Sequence, residues 1–483
     1  MTDPDVLVVD GQSLSCADIV RFAGGDVLVV IAPEAMAQVH RVHETARAVS
    51  AARPVYGRTT GVGANRDAVV GTGDAETHDL RLLLSHAAGV GEVLDDAVVR
   101  AAMLVRLNQL AAAGSGIHPR MVRGLHDALR AGALPTVHDA GSIGTGDLSA
   151  LAEIGLTLAG HLPWARGHLD PVDLAPGDAL AFLSSSAVTL ARAALVADEL
   201  GRLLGAAHTV AALSYCALGG SAEAFAEQVH ARRPHAGAMR AAARMRRLLW
   251  HEGDLSPGRR IQDPFGLRAF PQVHGPALDG VEHLHRVLEI EVNAAAENPL
   301  VDARTGAVFH HGQFSTAYPA LSLDNLRAAV HHVAELSAAR LGDLVEPDFT
   351  GLTPFLASGP AGSSGIMILE YVAHDALGRL RHSAGPVTLG TSVISRGVED
   401  HASFTPHSAR STAAAAAGYR TVLACELVAA VRALRLADTA PRGELLAAVY
   451  ADLVEALPDV RTDHPLGAEI RLASELVDGL AAV

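Results

Sequence analysis

The sequence predicts a mainly α-helical protein, a bundle of long helices preceded by a small part that mixes strands and helices. Apolar residues make up 49% of the 483 residues and charged residues only 19%, which is enough apolar material for a large core. From residue 75 onward, alanine-rich stretches carry apolar residues at three-and-four spacing. Alanine favours helices and lets them pack closely, so these stretches predict packed helices.

The first 50 residues mix the two kinds of element. Residues 5–9 and 26–31 are short apolar runs bounded by Gly and Asp, which is typical of strands. Residues 33–50 have helical spacing. A loop over 54–64 follows, because its closely spaced glycines suit neither a helix nor a strand interior.

The rest of the chain predicts helices in succession. A second glycine-rich segment, GSIGTGDL at 141–148, runs directly into one of them. The predicted helices cover 77–88, 95–113, 119–131, 149–159, 187–212, 279–296, 324–342, 365–381 and 408–436. We divide the chain into a mixed, mostly helical domain over 1–200, which carries both glycine loops, and a long-helix bundle over 201–483. No linker or repeat marks this division.

Composition argues against several classes of partner and location. Lys and Arg number 38 against 53 Asp and Glu, a net charge of −15, and aromatic residues are only 4%. Nucleic-acid binding is therefore not expected, since it needs clustered cations or stacking rings. The most apolar stretch, 206–226, contains His208 and Glu223 and predicts a buried helix rather than a membrane span.

The cysteines and the amino terminus predict a cytoplasmic protein. Cys16, Cys216 and Cys425 are widely separated, which provides neither a disulfide framework nor a CxxC metal motif. The first residues are acidic where a secretion signal would be basic.

Tyr56 is a candidate acid or base in the first glycine loop. Its phenol, with a pKa near 10, is a poor base at neutral pH unless a cation or a helix N-terminus lowers that value. Arg58 is a neighbouring cation. On the residues alone, a structural tyrosine that closes a turn at the edge of the core is the favoured explanation.

The second loop places Thr145 between Gly144 and Gly146, and a structural loop rarely needs glycines so closely spaced. A helix N-terminus with Asp147 in its first turn is the alternative explanation.

We predict no metal site. Neighbouring residues on a helix point to different faces, and the chain has no HExxH motif. The clusters that this reasoning rejects are Glu399-Asp400-His401, His310-His311 and His331-His332.

Ordered motifs over nearly the whole chain resemble those of the aromatic amino acid lyases, which comprise the histidine, phenylalanine and tyrosine ammonia-lyases and related aminomutases. The motifs are YGRTTGVG at 56–63, LLLSHAAGVG at 82–91, MLVRLNQLAAAGSG at 103–116, QDPFGLR at 262–268 with PQV at 271–273, NAAAENPLV at 293–301, GQF at 312–314, SGIM at 364–367 and EDH at 399–401.

The resemblance implies a fumarase/ammonia-lyase-like helical fold and a lyase that acts on a small aromatic or related carboxylated substrate. It implies that Tyr56 is the catalytic acid or base, that Arg268 pairs with the substrate carboxylate and that His86 contacts the substrate ring. It also implies a homotetramer whose active sites are shared between subunits. Further site residues are carried over at Ser184, Gln262, Phe265, Asn298, Phe314 and Glu399.

The family makes its electrophile, a methylidene-imidazolone (MIO), from an Ala-Ser-Gly tripeptide within the pattern GSxGASGDL. This chain reads GSIGTGDL, one residue shorter. If the gap falls at the serine, Thr145 replaces alanine and no methylidene can form. If it falls earlier, Gly144-Thr145-Gly146 is the triad and would yield a more hindered ethylidene. Ser184 also stands in place of a family Asn, and Phe265 in place of a Tyr.

These departures lead us to expect no MIO group. The leading hypothesis is an enzyme that carries out elimination, addition or isomerisation by acid–base chemistry, on a substrate with an easier leaving group or a more acidic proton. One alternative is an MIO-type ammonia-lyase or 2,3-aminomutase with an unusual Gly-Thr-Gly group. Another is a non-catalytic homologue that acts as a scaffold or binding subunit.

Overall fold

The computed structural model describes residues 5–25, 27–71, 75–249 and 258–482. It is predominantly helical, which confirms the predicted fold class. The helices are α1 (Cys16–Ala23), α2 (Pro33–Ala52), α3 (Ala75–His86), α4 (Asp96–Ala111), α5 (Pro119–Ala131), α6 (Leu148–Leu158), α7 (Asp178–Leu183), α8 (Ala187–Leu218), α9 (Glu227–His230), α10 (Ala236–Leu249), α11 (Phe265–Arg268), α12 (Phe270–Val292), α13 (Ala317–Val345), α14 (Pro347–Thr350), α15 (Ile368–Ala384), α16 (Thr405–Leu436), α17 (Glu444–Ala456) and α18 (Gly467–Gly479).

The strands are short and form two-stranded pairs. The predicted strand at 5–9 is confirmed, and the second runs from Val27 because Asp26 lies outside the described residues. The pairs are β1 (Asp5–Val9) with β2 (Val27–Ile31), which is parallel, and the antiparallel pairs β3 (Val90–Val93) with β5 (His138–Ala140), β4 (Leu134–Pro135) with β6 (Trp164–Arg166) and β7 (Leu300–Asp302) with β8 (Ala307–Phe309).

Prolines explain one large difference from the predicted helix bounds. The helix predicted at 279–296 begins at Phe270 and ends at Val292. Pro271 lies in its first turn, where a missing N–H has no effect on the helix, and Pro276 is accommodated inside it. The predicted start at 279 was therefore too late, because prolines in the first turns of a helix weaken the local signal for it. By contrast, α5 has the predicted bounds.

The residues group into two compact units. The first contains the described residues up to Asp198 together with His285–Leu323 and Val387–Arg410, and the second contains Glu199–Leu284, Asp324–Pro386 and the described residues from Ser411 onward. Each unit is assembled from separate segments, so the predicted division at residue 200 stays a prediction.

Helix α4 lies at the centre of the first unit. Every residue from Ala101 to Ala111 is buried, as expected for a helix that is apolar on all sides. It packs against α1, α2 and α5. Its few polar side chains, which include Arg106 and Asn108, are therefore buried and form hydrogen bonds inside the unit.

The second unit has a buried ion pair at its core. Arg340 donates from Nε to one oxygen of Glu426 at 2.6 Å and from a terminal nitrogen to the other at 2.8 Å. Ser214 and Ser337 donate to the same carboxylate. Four hydrogen bonds therefore offset the cost of burying this charge.

Two helical stretches are long and apolar enough to cross a membrane by length and composition alone. They are Asp178–Leu218 and Thr405–Leu436, and 78% and 72% of their most apolar windows are buried inside the protein. Buried core helices pass the same test, and the burial is what the sequence predicted for 206–226. Cys16, Cys216 and Cys425 are free thiols.

Candidate active site

A cavity of about 710 Å³ lies in the first unit. Loop 54–67, the end of α3, the second glycine loop, the end of α7, the segment after β8 and the segment 395–399 form its wall. The residues predicted for the site that line it are Tyr56, His86, Thr145, Ser184, Asn298, Phe314 and Glu399. The structure thus brings together predicted residues from seven separate parts of the sequence, because Asn298 lies in a further segment just before β7.

Tyr56 occupies a tight turn at the cavity wall. The turn is closed by hydrogen bonds from the Arg58 and Thr59 amides to the Val55 carbonyl, at 3.1 and 3.0 Å. The Thr59 hydroxyl accepts from the Val55 N–H at 2.8 Å. The local residues therefore fix the backbone from which the phenol projects.

Arg58 anchors this turn and does not act on the phenol. Its guanidinium is buried and donates to the carbonyls of Ser115 and Gly116, at 3.2 and 2.5 Å. Arg58 therefore attaches the Tyr56 loop to the backbone at Ser115 and Gly116 instead of lowering the pKa of the phenol.

The phenol oxygen of Tyr56 accepts a hydrogen bond from the Gly63 N–H at 2.7 Å. Burial raises the pKa of Tyr56, and the nearby Glu399 carboxylate raises it further, although the Gly63 hydrogen bond and Arg66 act in the opposite direction. A phenol whose pKa lies above its ordinary value keeps its proton at neutral pH, so Tyr56 is suited to donate a proton.

His86 has a defined tautomer. Its Nδ1 lies 2.8 Å from the Leu82 carbonyl oxygen, which can only accept, so Nδ1 carries the hydrogen. The Nε2 atom of the neutral ring is then an acceptor. His86 lines the cavity and is half-buried, which makes it suitable to bind a ring N–H.

The second glycine loop is held by a group of buried hydroxyls. The Ser403 hydroxyl donates to the Gly144 carbonyl at 3.1 Å and lies 2.8 Å from the Thr405 hydroxyl. Thr316 contacts both hydroxyls. The Phe404 N–H donates to the Ile143 carbonyl at 2.9 Å.

The loop residues do not fit the Ala-Ser-Gly precursor of MIO. Gly144 has a φ of +96°, and a Cβ at this position would lie 2.1 Å from the Ser403 hydroxyl oxygen. An alanine therefore has no room there. Thr145 lines the cavity, and no serine follows it in the loop, so the Thr145 hydroxyl is the group that would have to lose water in place of the family's serine.

Asp147 does not play the role that a helix N-terminus suggested. It is the N-cap residue of α6, but its side chain makes no cap hydrogen bond. Its carboxylate instead accepts from the Thr189 amide at 2.7 Å and from the Thr189 hydroxyl at 2.8 Å. Asp147 therefore ties the glycine loop to α8.

Ser184, Asn298 and His311 form a chain of directed hydrogen bonds along the wall. The Asn298 N–H donates to the Ser184 hydroxyl at 3.0 Å, and the His311 N–H donates to the Asn298 side-chain oxygen at 3.0 Å. His311 Nδ1 in turn accepts from the Gln313 N–H at 3.0 Å. Ser184 and Asn298 thus order one another.

Glu399 projects into the cavity from a strained segment. Ser395 and Arg396 have φ values of +51° and +57°, an unfavourable conformation for residues other than glycine. The Ser395 hydroxyl accepts from the Ala64 N–H at 2.9 Å, and the Ile394 N–H donates to the Glu399 carbonyl at 2.8 Å. The hydrogen bond between Ala64 and Ser395 therefore joins the segment that carries Glu399 to the Tyr56 loop.

Three of the predicted site residues belong to the second unit, whereas all lining residues belong to the first. They are Gln262, Phe265 and Arg268. The Arg268 guanidinium stacks on the Phe265 ring, 4.3 Å from its centroid, and donates from Nε to the Asp263 carbonyl at 2.8 Å. Its terminal nitrogens remain suited to bind a carboxylate.

Several cavity residues were missed in the sequence. His310 and His311 were considered only as a metal pair on a helix, but they lie in the segment after β8, and both line the cavity. Glu399 to His401 are likewise not helical. Arg66 and Asp67 add a cation and an anion to the wall. The HH dipeptide beside the family-like GQF motif was the available signal.

His331 and His332 differ from the premise that neighbouring helical residues point apart, although the prediction of no metal site stays a prediction. Both residues lie on α13, and their Nδ1 atoms lie 3.5 and 3.0 Å from the same oxygen of Glu335. Ligand atoms of the three side chains fall within 4.8 Å of one another. Long side chains on adjacent helical positions can therefore converge.

Comparisons with known proteins support the sequence resemblance. A family model described as aromatic amino acid lyase matches residues 14–455. Histidine ammonia-lyase from Anaeromyxobacter dehalogenans (strain 2CP-C) is 34% identical, over 98% of this chain and 99% of that protein. Histidine ammonia-lyase from Symbiobacterium thermophilum is 34% identical, over 97% of this chain and 96% of that protein.

Solved structures show the same similarity. The ergothioneine degrading enzyme ergothionase from Treponema denticola, in complex with desmethyl-ergothioneine sulfonic acid, gives a TM-score of 0.93 at 26% identity, over 99% of both chains. Tyrosine aminomutase from Streptomyces globisporus gives 0.93 at 26% identity, over 98% of this chain and 97% of that chain.

The fold and these matches define a carbon–nitrogen lyase of the ammonia-lyase type. The chain belongs to the aromatic amino acid lyase family, which is normally MIO-dependent. The resemblance identified from the sequence is therefore confirmed.

Proposed function

We propose that this chain catalyses an MIO-free elimination, in which an amine leaves a carboxylated substrate that bears an imidazole-type ring. The observation that carries the proposal is the loop at 141–148, which reads GSIGTGDL, one residue shorter than the family's GSxGASGDL and without its second serine. The lack of space at Gly144 supports it.

The leaving group must then depart without covalent activation. An electrophile that captures a poor leaving group can lower a barrier by several kcal/mol, and each 1.36 kcal/mol is about tenfold in rate. A quaternary ammonium departs as a neutral tertiary amine and needs no such capture. Ergothioneine is a histidine-derived trimethylammonium betaine, so the similarity to ergothionase supports a substrate of this class.

The charges and rings of the cavity suit a cationic group. Glu399 and Asp67 contribute two carboxylates, against the single guanidinium of Arg66. The rings of Tyr56 and Phe314 also line the cavity, and aromatic faces attract quaternary ammonium groups.

The reaction is balanced by one proton transfer. A base removes a proton from the β-carbon, the electrons of that C–H bond form the new double bond, and the C–N bond breaks with its electron pair leaving on the amine. A bound cation lowers the pKa of a nearby phenol, which opposes the effect of burial on Tyr56. Tyr56 therefore becomes a competent base only when the cationic substrate is present.

Ring binding is assigned to His86. Its Nε2 acceptor suits the N–H of an imidazole, and the histidine ammonia-lyases among the relatives point to the same ring type. Ser184 and Asn298 then act by ordering the wall rather than by chemistry.

The assembly and location are part of the proposal. We propose a cytoplasmic homotetramer in which Arg268 of one copy holds the substrate carboxylate in the cavity of another. Size-exclusion chromatography with light scattering tests this, and a stable monomer at micromolar concentration would contradict it.

The decisive experiment combines mass and turnover. Intact mass spectrometry of the purified protein should give the mass of the unmodified sequence. Histidine and its Nα-trimethyl betaine are then compared as substrates. Turnover is followed by the absorbance of the conjugated acrylate product and by release of the amine. We expect turnover of the betaine and none of histidine.

The second candidate is an MIO-type ammonia-lyase, because histidine ammonia-lyases match 98% of the chain. A mass short by two waters within 141–148, together with turnover of histidine, would establish this candidate and overturn the MIO-free proposal.

A further inference from the structure

His310 lies beside the candidate base at the cavity wall. Its Nε2 accepts a hydrogen bond from the Tyr56 backbone N–H at 3.4 Å. The two rings meet edge to face, with centroids 6.4 Å apart and an angle of 87° between the planes. Nothing in the MIO-free reaction described above uses this imidazole.

A second contact joins the same two segments. The Arg53 guanidinium, immediately before the Tyr56 loop, donates to the Val308 carbonyl on β8 at 2.6 Å. The β7–β8 hairpin therefore holds the loop at two points, once through Arg53 and once through His310. The register Val301 to Val308 fixes the hairpin itself.

We propose that His310 is a positioning residue that holds the Tyr56 loop in its reactive conformation through the Tyr56 N–H, and that protonation of its ring releases the loop. The proposal rests on the proposed role of Tyr56. It assigns no proton transfer to the substrate to His310.

The chemistry of the ring explains the release. Neutral imidazole offers one acceptor nitrogen, whereas imidazolium has two donors and no acceptor. A protonated His310 would therefore present an N–H to the N–H of Tyr56. The contact would change from attraction to repulsion without any change in the rest of the hairpin.

The surroundings keep the ring neutral near pH 7. Partial burial lowers the pKa of His310, and the positive charge of Arg53 lowers it further. The other titratable neighbours are Tyr56, which contacts the ring, and the adjacent His311, whose pKa is also lowered by burial. Glu399, which lines the same cavity, is the acidic residue nearby.

Two substitutions separate the acceptor from the titration. His310→Gln retains an acceptor oxygen at the end of a side chain of similar reach but does not titrate. His310→Phe retains the ring edge and removes the acceptor. His168→Gln, at an exposed position in the first unit, is the matched control.

The first readout is kcat against pH with the betaine substrate. We expect wild type and His168→Gln to lose kcat at a pH below the ordinary imidazole pKa of about 6.5, because the pKa of His310 is lowered. His310→Gln should lack this acid limb. His310→Phe should be about three- to tenfold slower than wild type near pH 7, and wild type should fall toward its rate at acid pH. An acid limb that persists unchanged in His310→Gln would overturn the proposal.

The second readout needs no activity. Hydrogen–deuterium exchange of a peptide that contains the Tyr56 amide, corrected for intrinsic rates, should be faster in His310→Phe than in wild type, and wild type should approach that rate at acid pH. Equal protection in wild type and His310→Phe would overturn the proposal even if the enzyme proves to use another substrate. Failure of the elimination assay alone would instead count against the proposed function.

Discussion

The buried ion pair between Arg106 and Glu297 is expected to be essential for the cavity wall. Arg106 donates to the Glu297 carboxylate at 2.9 Å, and the two side chains are only 1% and 2% exposed. Arg106 also donates to the carbonyls of Ala181 and Phe182, just before Ser184. Glu297 directly precedes Asn298, so the pair connects the two segments whose contact orders that wall.

We predict that Glu297→Ala lowers the free energy of unfolding by about 3–5 kcal/mol, the range for removing one partner of a buried pair. The guanidinium would remain charged and buried without a counter-charge. Glu297→Gln keeps one acceptor and should cost about 1.5–3 kcal/mol, the value of a hydrogen bond to a charged group. Solvent screening does not reduce these values, because both side chains are buried.

The assay is urea unfolding at fixed protein concentration, followed by circular dichroism, for wild type, Glu297→Ala, Arg106→Met and the double variant. Because the partners are in contact, the destabilisations of the two single variants should not add. Their sum should exceed the destabilisation of the double variant by about 1 kcal/mol or more. Two unpaired carbonyls, at Ala181 and Phe182, would remain in the double variant.

Additive costs in this double-mutant cycle, or a cost below about 1 kcal/mol for Glu297→Ala, would refute the reasoning. Either result would mean that water reaches the pair or that the segment relaxes. The betaine assay on Glu297→Gln adds a functional readout. A less ordered Asn298 should raise KM while the circular dichroism spectrum stays unchanged.

Three further outcomes are expected. Tyr56→Phe should reduce elimination by about 10²- to 10⁴-fold with unchanged circular dichroism, and unchanged turnover would favour a non-catalytic or differently catalysed role. Gly144→Ala should destabilise the protein by about 1–3 kcal/mol, because the new methyl group meets Ser403 at positive φ; an unchanged melting temperature would show that the loop has space. Burial lowers the pKa of His208 to about 3 and that of His274 well below its ordinary value. Below pH 6.5 the unfolded chain therefore binds more protons than the folded one, and the free energy of unfolding decreases by about 1.4 kcal/mol for each ring with every unit by which the pH is lowered. His274→Gln should make the urea midpoint less dependent on pH between about 6 and 4, and an unaltered slope would contradict this assignment.

The fold could be predicted largely because its signals are local. Helix α5 begins with Pro119 and is followed by Gly132 in the left-handed conformation, so both of its ends are written in the sequence. Helix α12 begins at Phe270 rather than at the predicted residue 279, and the two prolines in its first turns weaken the local helical pattern there. The short strand pairs after β2 have too few residues to produce an alternating pattern.

The site was predicted in part for a similar reason. Tyr56, His86 and Asn298 could be located through motifs, but their neighbours in space could not. The hydrogen bond from the Tyr56 amide to His310 joins residues 254 positions apart. The direction in which Arg58 points also depends on carbonyls at Ser115 and Gly116. Spacing along the chain carries no information on such contacts.

The hydroxyls of Ser403, Thr405 and Thr316 bear on any attempt to give this scaffold its relatives' self-made electrophile. A side chain at the Gly144 position, where one placement of the gap puts the family's alanine, would lie against these hydroxyls. The conversion would need at least two coordinated changes, an insertion in the loop and a smaller residue at 403, and either one alone would give a poorer protein.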